Sequence, residues 1–126
     1  AWANALLIGG AGRFGLVPAP LKHFLESAWP LNASGGLANK VMSSFTSTAT
    51  LHGGQESTLL ALNNAFYHWG AIIVAPGYTD ESIFKAGGNP YGVSVTAKGE
   101  GLDPVYEPAI AHQTRRLIEI AAKLRA

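Results

Sequence analysis

A run of hydroxyl-bearing and glycine residues, TSTATLHGGQES at residues 46–57, is the stretch of this sequence best suited to hold a ligand. It contains no lysine or arginine. Its small hydroxyls, its backbone N–H groups and the Gly53–Gly54 pair would let a flat ligand lie close to the main chain. Such a loop suits hydrogen bonding to a neutral aromatic ring system. An exposed Ser/Thr/Gly loop without a ligand has the same composition, and composition alone favours that second interpretation.

A second glycine-rich stretch, GAGRFG at residues 10–15, has the spacing of a dinucleotide-binding fingerprint. That fingerprint needs its last glycine inside the following helix, and Pro18 and Pro20 delay the helix here. It also needs an acidic residue about twenty positions further on to hold the ribose, and no Asp or Glu lies between Glu26 and Glu56. The pattern therefore does not predict a dinucleotide site.

The four histidines do not form a metal-binding pattern, because no two of them share a short helical spacing. His23 and His112 are expected on helix surfaces, and His68 near a helix C-terminus, where a cation is favourable. A G-x-S-x-G elbow is absent, so no serine hydrolase is predicted. We expect no metal site.

Length and composition limit the class of protein. The 126 residues suit one domain, residues 1–126, and 48% hydrophobic residues favour a packed core over a disordered chain. A net charge of +1 argues against nucleic-acid binding by phosphate neutralisation. The chain has no cysteine, and its longest apolar run is far too short for a membrane span. A cytoplasmic location is expected.

Continuous apolar runs alternate with helical patterns, which predicts an α/β fold with a parallel sheet. The predicted strands cover residues 5–10, 40–45 and 71–75, with a further short strand within 91–97. The predicted helices cover residues 19–29, 54–70 and 107–124, with Pro30 ending the first. Their buried faces are predicted at Leu21, Phe24 and Leu25; at Leu59, Leu62, Phe66 and Trp69; and at Ile110, Leu117, Ile120 and Leu124. Ligands collect at the carboxyl ends of such strands, so the loops at 9–15 and 46–54 are expected side by side.

Several motifs, in order along the chain, resemble one family. They are RFG at 13–15, SGGLANK at 34–40, FTSTATLHGGQE at 45–56, HWG at 68–70, PGY at 76–78 and the long GGNPYGVSVTAKGEG at 87–101. Together they resemble the C-terminal two-thirds of the WrbA-type NAD(P)H:quinone oxidoreductases, which are flavodoxin-like FMN proteins. The resemblance implies a flavodoxin-like parallel sheet with helices on both faces, lacking the family's N-terminal strand, phosphate loop and second strand.

The resemblance also implies which residues bind FMN. Gly12, Arg13, Phe14 and Gly15 would line the isoalloxazine edge, and Ser47, Thr48, Ala49, Thr50, Leu51, His52 and Gly53 would contact the ring and the ribityl chain. His68 matches a family histidine that reaches a flavin in the homo-tetramer, that of a neighbouring subunit. The tryptophan that closes the family's active-site pocket falls at Asn32, which is therefore assigned to the substrate side together with His68.

The implied reaction is ping-pong. NAD(P)H delivers hydride to the flavin N5, and a quinone then takes two electrons in the same pocket. Because the phosphate loop is missing, the chain by itself is expected to bind FMN poorly. Two other classes remain open: a non-enzymatic remnant serving as a binding or oligomerisation module, and an electron carrier, which the near-neutral charge disfavours.

Overall fold

The computed structural model describes residues 2–125, and within this part of the chain strands and helices alternate. The elements are β1 (Ala5–Ala11), α1 (Ala19–Ser27), α2 (Trp29–Ala33), β2 (Val41–Thr48), α3 (Gln55–His68), β3 (Ile72–Ile73), α4 (Glu81–Lys85), β4 (Ser94–Thr96) and α5 (Glu107–Leu124), with a 3-10 turn at Pro104–Tyr106 before α5. The α/β class with a parallel sheet is confirmed.

All the strand pairings centre on β2. β1 runs parallel along one edge of β2, from Ala5 opposite Val41 to Ala11 opposite Ser47. β3 pairs with the first two residues of β2, and β4 pairs with the last three, Thr46–Thr48, on the other edge. β3 and β4 thus lie along the same edge of β2, where together they occupy the place of a single neighbouring strand. Between them the chain leaves the sheet over residues 74–93, a segment we call the excursion.

Helices cover both faces of the sheet, as predicted. Alternate residues of a strand point to opposite faces. Leu6 and Ile8 therefore pack with Met42 against α1 and α3, whereas Leu7 packs with Val41 against α5. Leu59, Leu62 and Phe66 of α3 are completely buried, as expected, and each contributes about 1.5–3 kcal/mol from the transfer of its apolar surface out of water.

The first predicted helix is interrupted. α1 ends at Ser27, and Pro30 does not stop a helix but lies in the first turn of the short α2, where its missing N–H costs nothing. The loop expected after it therefore begins only after Ala33. α4 was not predicted, because its five residues are too few to show a period.

Two strand predictions need correction. β2 extends to Thr48 rather than ending at Phe45, since Thr46–Thr48 gain β4 as a second neighbour. The strand expected at 71–75 is reduced to Ile72–Ile73, because the chain departs into the excursion, although Val74 N–H still donates to Met42 O at 2.8 Å.

Two residues of the predicted buried faces are exposed. Phe24 lies on the outer side of α1, and Leu124 is the last residue of α5. Leu25 and Leu117 are buried as predicted, whereas Leu21, Trp69, Ile110 and Ile120 are half-buried at the borders of the core.

Candidate functional site

The segment after β1, residues 12–18, which we call the β1 loop, begins with a tight turn. Arg13 N–H donates to Leu16 O at 2.8 Å, and Leu16 N–H donates to Arg13 O at 3.0 Å. The two central residues, Phe14 (φ 50°) and Gly15 (φ 75°), are both in the left-handed region, which defines a type I′ turn. This conformation is strained for a bulky residue such as phenylalanine, whose ring is fully exposed. α1 starts only at Ala19, so Gly15 lies outside it, as expected.

The segment after β2, residues 49–54, which we call the β2 loop, lies beside the β1 loop. Gly12 N–H donates to Ser47 O at 2.8 Å, and Ser57 Oγ donates to Gly15 O at 2.8 Å. The predicted proximity of the two loops at the carboxyl ends of neighbouring strands is therefore confirmed.

The contact between the loops leaves no room for side chains. A Cβ atom on Gly12 would lie 2.8 Å from Thr48 Cγ2 and from Thr58 Oγ1. A Cβ atom on Gly54 would lie 2.5 Å from the Cα atom of Gly15. Gly54 also has φ 84° and precedes the first residue of α3, so only glycine satisfies both its conformation and its surroundings.

The β2 loop is fixed at its two ends and open in the middle. Thr48 Oγ1 donates to Thr50 O at 2.7 Å, and Gly53 N–H donates to the same carbonyl at 3.1 Å. Four residues between these points are exposed, namely Ala49, Thr50, Leu51 and His52. Ser47 is half-buried and Thr48 is buried, because both belong to β2.

The two loops offer backbone donors and little charge. Among residues 2–125, none accepts a hydrogen bond from the amide N–H groups of Phe14, Gly15, Thr50, Leu51 or His52. Arg13 is the one Lys or Arg in residues 12–15 and 46–54, and its Nη1 donates to Gly12 O at 3.3 Å. A ligand with acceptor atoms along a flat edge matches these groups.

The remaining two predicted site residues, Asn32 and His68, lie together at the end of α3 that is remote from the β2 loop. Both line an open groove between α1–α2 and the end of α3, which we call the α1–α3 groove; its other lining residues include Leu25, Glu26, Trp29 and Trp69. α3 places Gln55 beside the loops and His68 thirteen residues later, which is about 20 Å at 1.5 Å per residue. His68 is therefore about 20 Å from the start of α3, where the β2 loop ends. Leu16 and Val17, at the end of the β1 loop, line a groove together with His68.

An exposed ion pair borders the α1–α3 groove. Lys22 Nζ lies 2.8 Å from Glu26 Oε1, and the hydrogen bond from Lys22, together with its positive charge, lowers the pKa of the Glu26 carboxyl. Because both groups are exposed, the pair contributes little to stability. A partner entering this groove meets the paired Lys22 and Glu26 side chains beside an exposed tryptophan and an exposed histidine.

Sequence reasoning missed the side chains that hold the loops together. Gln55, Ser57 and Thr58 lie in the first turn of α3 and contact the loops, yet they follow no hydrophobic period that would single them out. The sequence GGQES at residues 53–57 could have indicated them, because a glycine pair there leads directly into polar residues at the start of a helix.

His23 and His112 were predicted on helix surfaces. His23 is exposed on α1 as expected, whereas His112 is half-buried and its Nε2 lies 2.6 Å from Thr79 Oγ1. Residues 2–125 contain no group of three His, Cys, Asp or Glu side chains that could hold a metal ion. In the same residues, no helix has the length and apolar character needed to cross a bilayer.

The fold agrees with that of a solved structure. The crystal structure of the flavodoxin, WrbA-like protein from Agrobacterium tumefaciens superposes with a TM-score of 0.76 over 97% of this chain and 68% of that chain, at 22% sequence identity. The fold is therefore flavodoxin-like. A comparison with protein-family models finds no match.

Curated relatives bear one common name. Proteins named NAD(P)H dehydrogenase (quinone) from Deinococcus radiodurans, Trichlorobacter lovleyi and Brucella anthropi are 47%, 38% and 38% identical over 98% of this chain. Over this shared length the chain is similar to these proteins, which confirms the resemblance inferred from the motifs. The chain spans 62%, 64% and 65% of the lengths of these three relatives.

Proposed function

We propose that this chain forms the ring-binding part of an FMN-dependent NAD(P)H:quinone oxidoreductase. The observation that carries the proposal is the pair of side-by-side loops, which have glycines at their contact and unpaired backbone N–H groups. This geometry suits a flat heteroaromatic ring with acceptor atoms at its edge. The name shared by the relatives supports the same reaction.

The proposed roles follow the positions of the residues. Gly12, Arg13, Phe14 and Gly15 would follow the ring edge with their backbone, and Ser47 to Gly53 would contact the ring and the ribityl chain. Bound FMN would accept hydride from NAD(P)H and pass two electrons to a quinone. The chain's own contribution is to hold and orient the flat ring, since neither loop offers an activated side-chain nucleophile.

Asn32 and His68 require a second copy of the chain in this proposal. Because His68 lies about 20 Å along α3 from Gln55 and the β2 loop of its own chain, it would act at the flavin of a neighbouring subunit in a homo-tetramer. The α1–α3 groove, with its exposed Trp29 and the carboxylate of Glu26, would then face that subunit. We place this reaction in the cytoplasm, where soluble NAD(P)H is available.

The proposal is tested by crowding the loops. Gly12→Ala is expected to weaken FMN binding at least tenfold, because its Cβ would push Thr48 and Thr58 apart. The rate of NADPH oxidation in the presence of benzoquinone should fall by the same factor. FMN fluorescence quenching and absorbance at the NADPH band measure the two effects.

Gly36→Ala is the matched control for Gly12→Ala. Its Cβ would lie 2.5 Å from Leu31 Cδ1, in the turn before β2 and therefore at the end of the strand remote from the loops. It should cost stability but leave FMN affinity within about twofold of the parent. Equal losses of affinity in the two variants would reject the loops as the site.

The parent protein distinguishes the alternative functions. If it binds FMN but oxidises no NADPH with a quinone, the electron carrier is favoured. If it folds but binds no flavin, the non-enzymatic module is favoured.

A second prediction concerns the phosphate of FMN. Residues 46–54 contain no lysine or arginine, and Arg13 is exposed. A protein of residues 1–126 is therefore expected to bind riboflavin and FMN with dissociation constants within about threefold of each other, and to purify with far less than one equivalent of flavin. Isothermal titration with both flavins measures this. Flavin retained at one equivalent per chain, or a preference for FMN of a hundredfold, would contradict the prediction.

A further inference from the structure

The first residue of α3 is a buried glutamine with a complete set of hydrogen bonds. The Gln55 side chain is 3% exposed. Its Nε2 donates to Thr48 Oγ1 and to Thr96 Oγ1, both at 3.0 Å, and its Oε1 accepts from Ser94 Oγ at 2.8 Å. Both N–H groups and the carbonyl are thus engaged. A buried amide satisfied in this way fixes the relative positions of its partners, because any displacement leaves a polar group unpaired.

On one side, Gln55 controls the β2 loop through Thr48. The Thr48 hydroxyl donates a hydrogen bond to Thr50 O, and its oxygen accepts one from Gln55 Nε2. Gly53 N–H donates to the same Thr50 carbonyl, so the path from Gln55 reaches both ends of the loop. Without the donor on Gln55, the Thr48 hydroxyl is free to rotate away from Thr50.

On the other side, Gln55 contacts the strand that returns from the excursion. Ser94 and Thr96 belong to β4, and Asn89 Nδ2 of the excursion donates to Ser94 Oγ at 2.9 Å. A main-chain bond runs in parallel, since Ala97 N–H donates to Thr48 O at 2.7 Å. The side-chain path Asn89–Ser94–Gln55–Thr48–Thr50 therefore joins the excursion to the β2 loop.

We infer that Gln55 is a positioning residue, which sets the shape of the β2 loop for ring binding and transmits to it the placement of β4 and the excursion. The identity of the ligand rests on the proposed function, whereas the positioning of the loop does not. The excursion thereby affects affinity for the ring without lying in the β2 loop.

The direct test measures amide hydrogen exchange by NMR in the ligand-free protein. The Gly53 and Ala97 N–H groups report on the β2 loop. The Ile72 and Val74 N–H groups, bonded to Lys40 O and Met42 O at the other end of β2, serve as internal standards. Thr96→Val removes one acceptor of Gln55 with little change of shape and should speed exchange at Gly53 about fivefold. Gln55→Glu removes both donors and should speed it about thirtyfold. Exchange at Ile72 and Val74 should change less than twofold relative to the parent.

A matched control separates positioning from loss of stability. Thr114→Val removes a hydroxyl that bonds only within α5 and is paired with Thr96→Val. In this control, exchange at Gly53 should not accelerate more than exchange at Ile72 and Val74.

The outcomes are distinct. Faster exchange at Gly53 in Thr96→Val and not in Thr114→Val supports the inference, and equal exchange in the two overturns it. FMN titration then tests the ligand: the dissociation constant should rise about fivefold in Thr96→Val and less than twofold in Thr114→Val. An unchanged constant alongside a loosened loop would overturn the link to ring binding. Failure of the parent protein to bind FMN would count against the proposed function, while the exchange data would still decide whether Gln55 positions the loop.

Discussion

Gly54→Ala is expected to lower the free energy of unfolding by about 3 kcal/mol. Two causes combine. Gly54 has φ 84°, a conformation that costs other residues about 1–2 kcal/mol, and its Cβ would lie 2.5 Å from the Cα atom of Gly15. That neighbour is backbone and cannot rotate away, so the β1 and β2 loops must separate. Chemical denaturation measures the effect.

Gly99→Ala is the control for Gly54→Ala. Gly99 has the same φ of 84°, but a Cβ there would meet nothing within 4 Å. It should lose only the conformational cost, about 1 kcal/mol. The difference between the two variants isolates the contact between the loops. If both lose the same free energy, the close approach of Gly15 and Gly54 is not part of the native protein.

His68→Ala is expected to lower quinone turnover at least tenfold in the flavin-loaded protein, and the loss should be recoverable by mixing subunits. If His68 acts at a neighbouring flavin, co-assembly with Gly12→Ala joins an intact loop from one variant to an intact histidine from the other. Random assembly then restores about one quarter of the parent activity, because half of the sites have the intact loop and half of those have the intact neighbour. Steady-state NADPH oxidation before and after subunit exchange measures this.

His23→Ala serves as the control for the histidine variant. His23 is exposed on α1, so its replacement should leave turnover unchanged. Unchanged turnover in His68→Ala would remove His68 from the site. Reduced turnover without recovery on mixing would contradict its proposed action in a neighbouring subunit.

The sequence predicted those parts of the fold that have a period or a stop signal. α3 was predicted closely because Leu59, Leu62 and Phe66 repeat at helical spacing and Gly70, with φ 67°, follows its end. The extension of β2 to Thr48 could not be predicted, since Thr46–Thr48 resemble a loop in composition and gain their second strand neighbour, β4, from about fifty residues away along the chain. Phe24 has the spacing of a core residue, but α1 buries a narrower face than the pattern indicates.

Some features of the candidate site could likewise be predicted from the sequence, and others could not. The adjacency of the two loops followed from parallel topology, which brings the carboxyl ends of neighbouring strands together. The role of Gln55 did not, because it depends on Ser94 and Thr96, whose approach requires the excursion to return to the edge of β2. The separation of His68 from the β2 loop follows from the length of α3 once its bounds are known.

The division of one sheet position between β3 and β4 has a consequence for how this protein can vary. Register is set once before the excursion and once after it, both times on β2, so the amount of chain in between does not enter the geometry of the sheet. Around Gly87, which is exposed and has open space about it, residues can be gained or lost without shifting a strand. We therefore expect this turn to accept an inserted peptide tag or reporter domain.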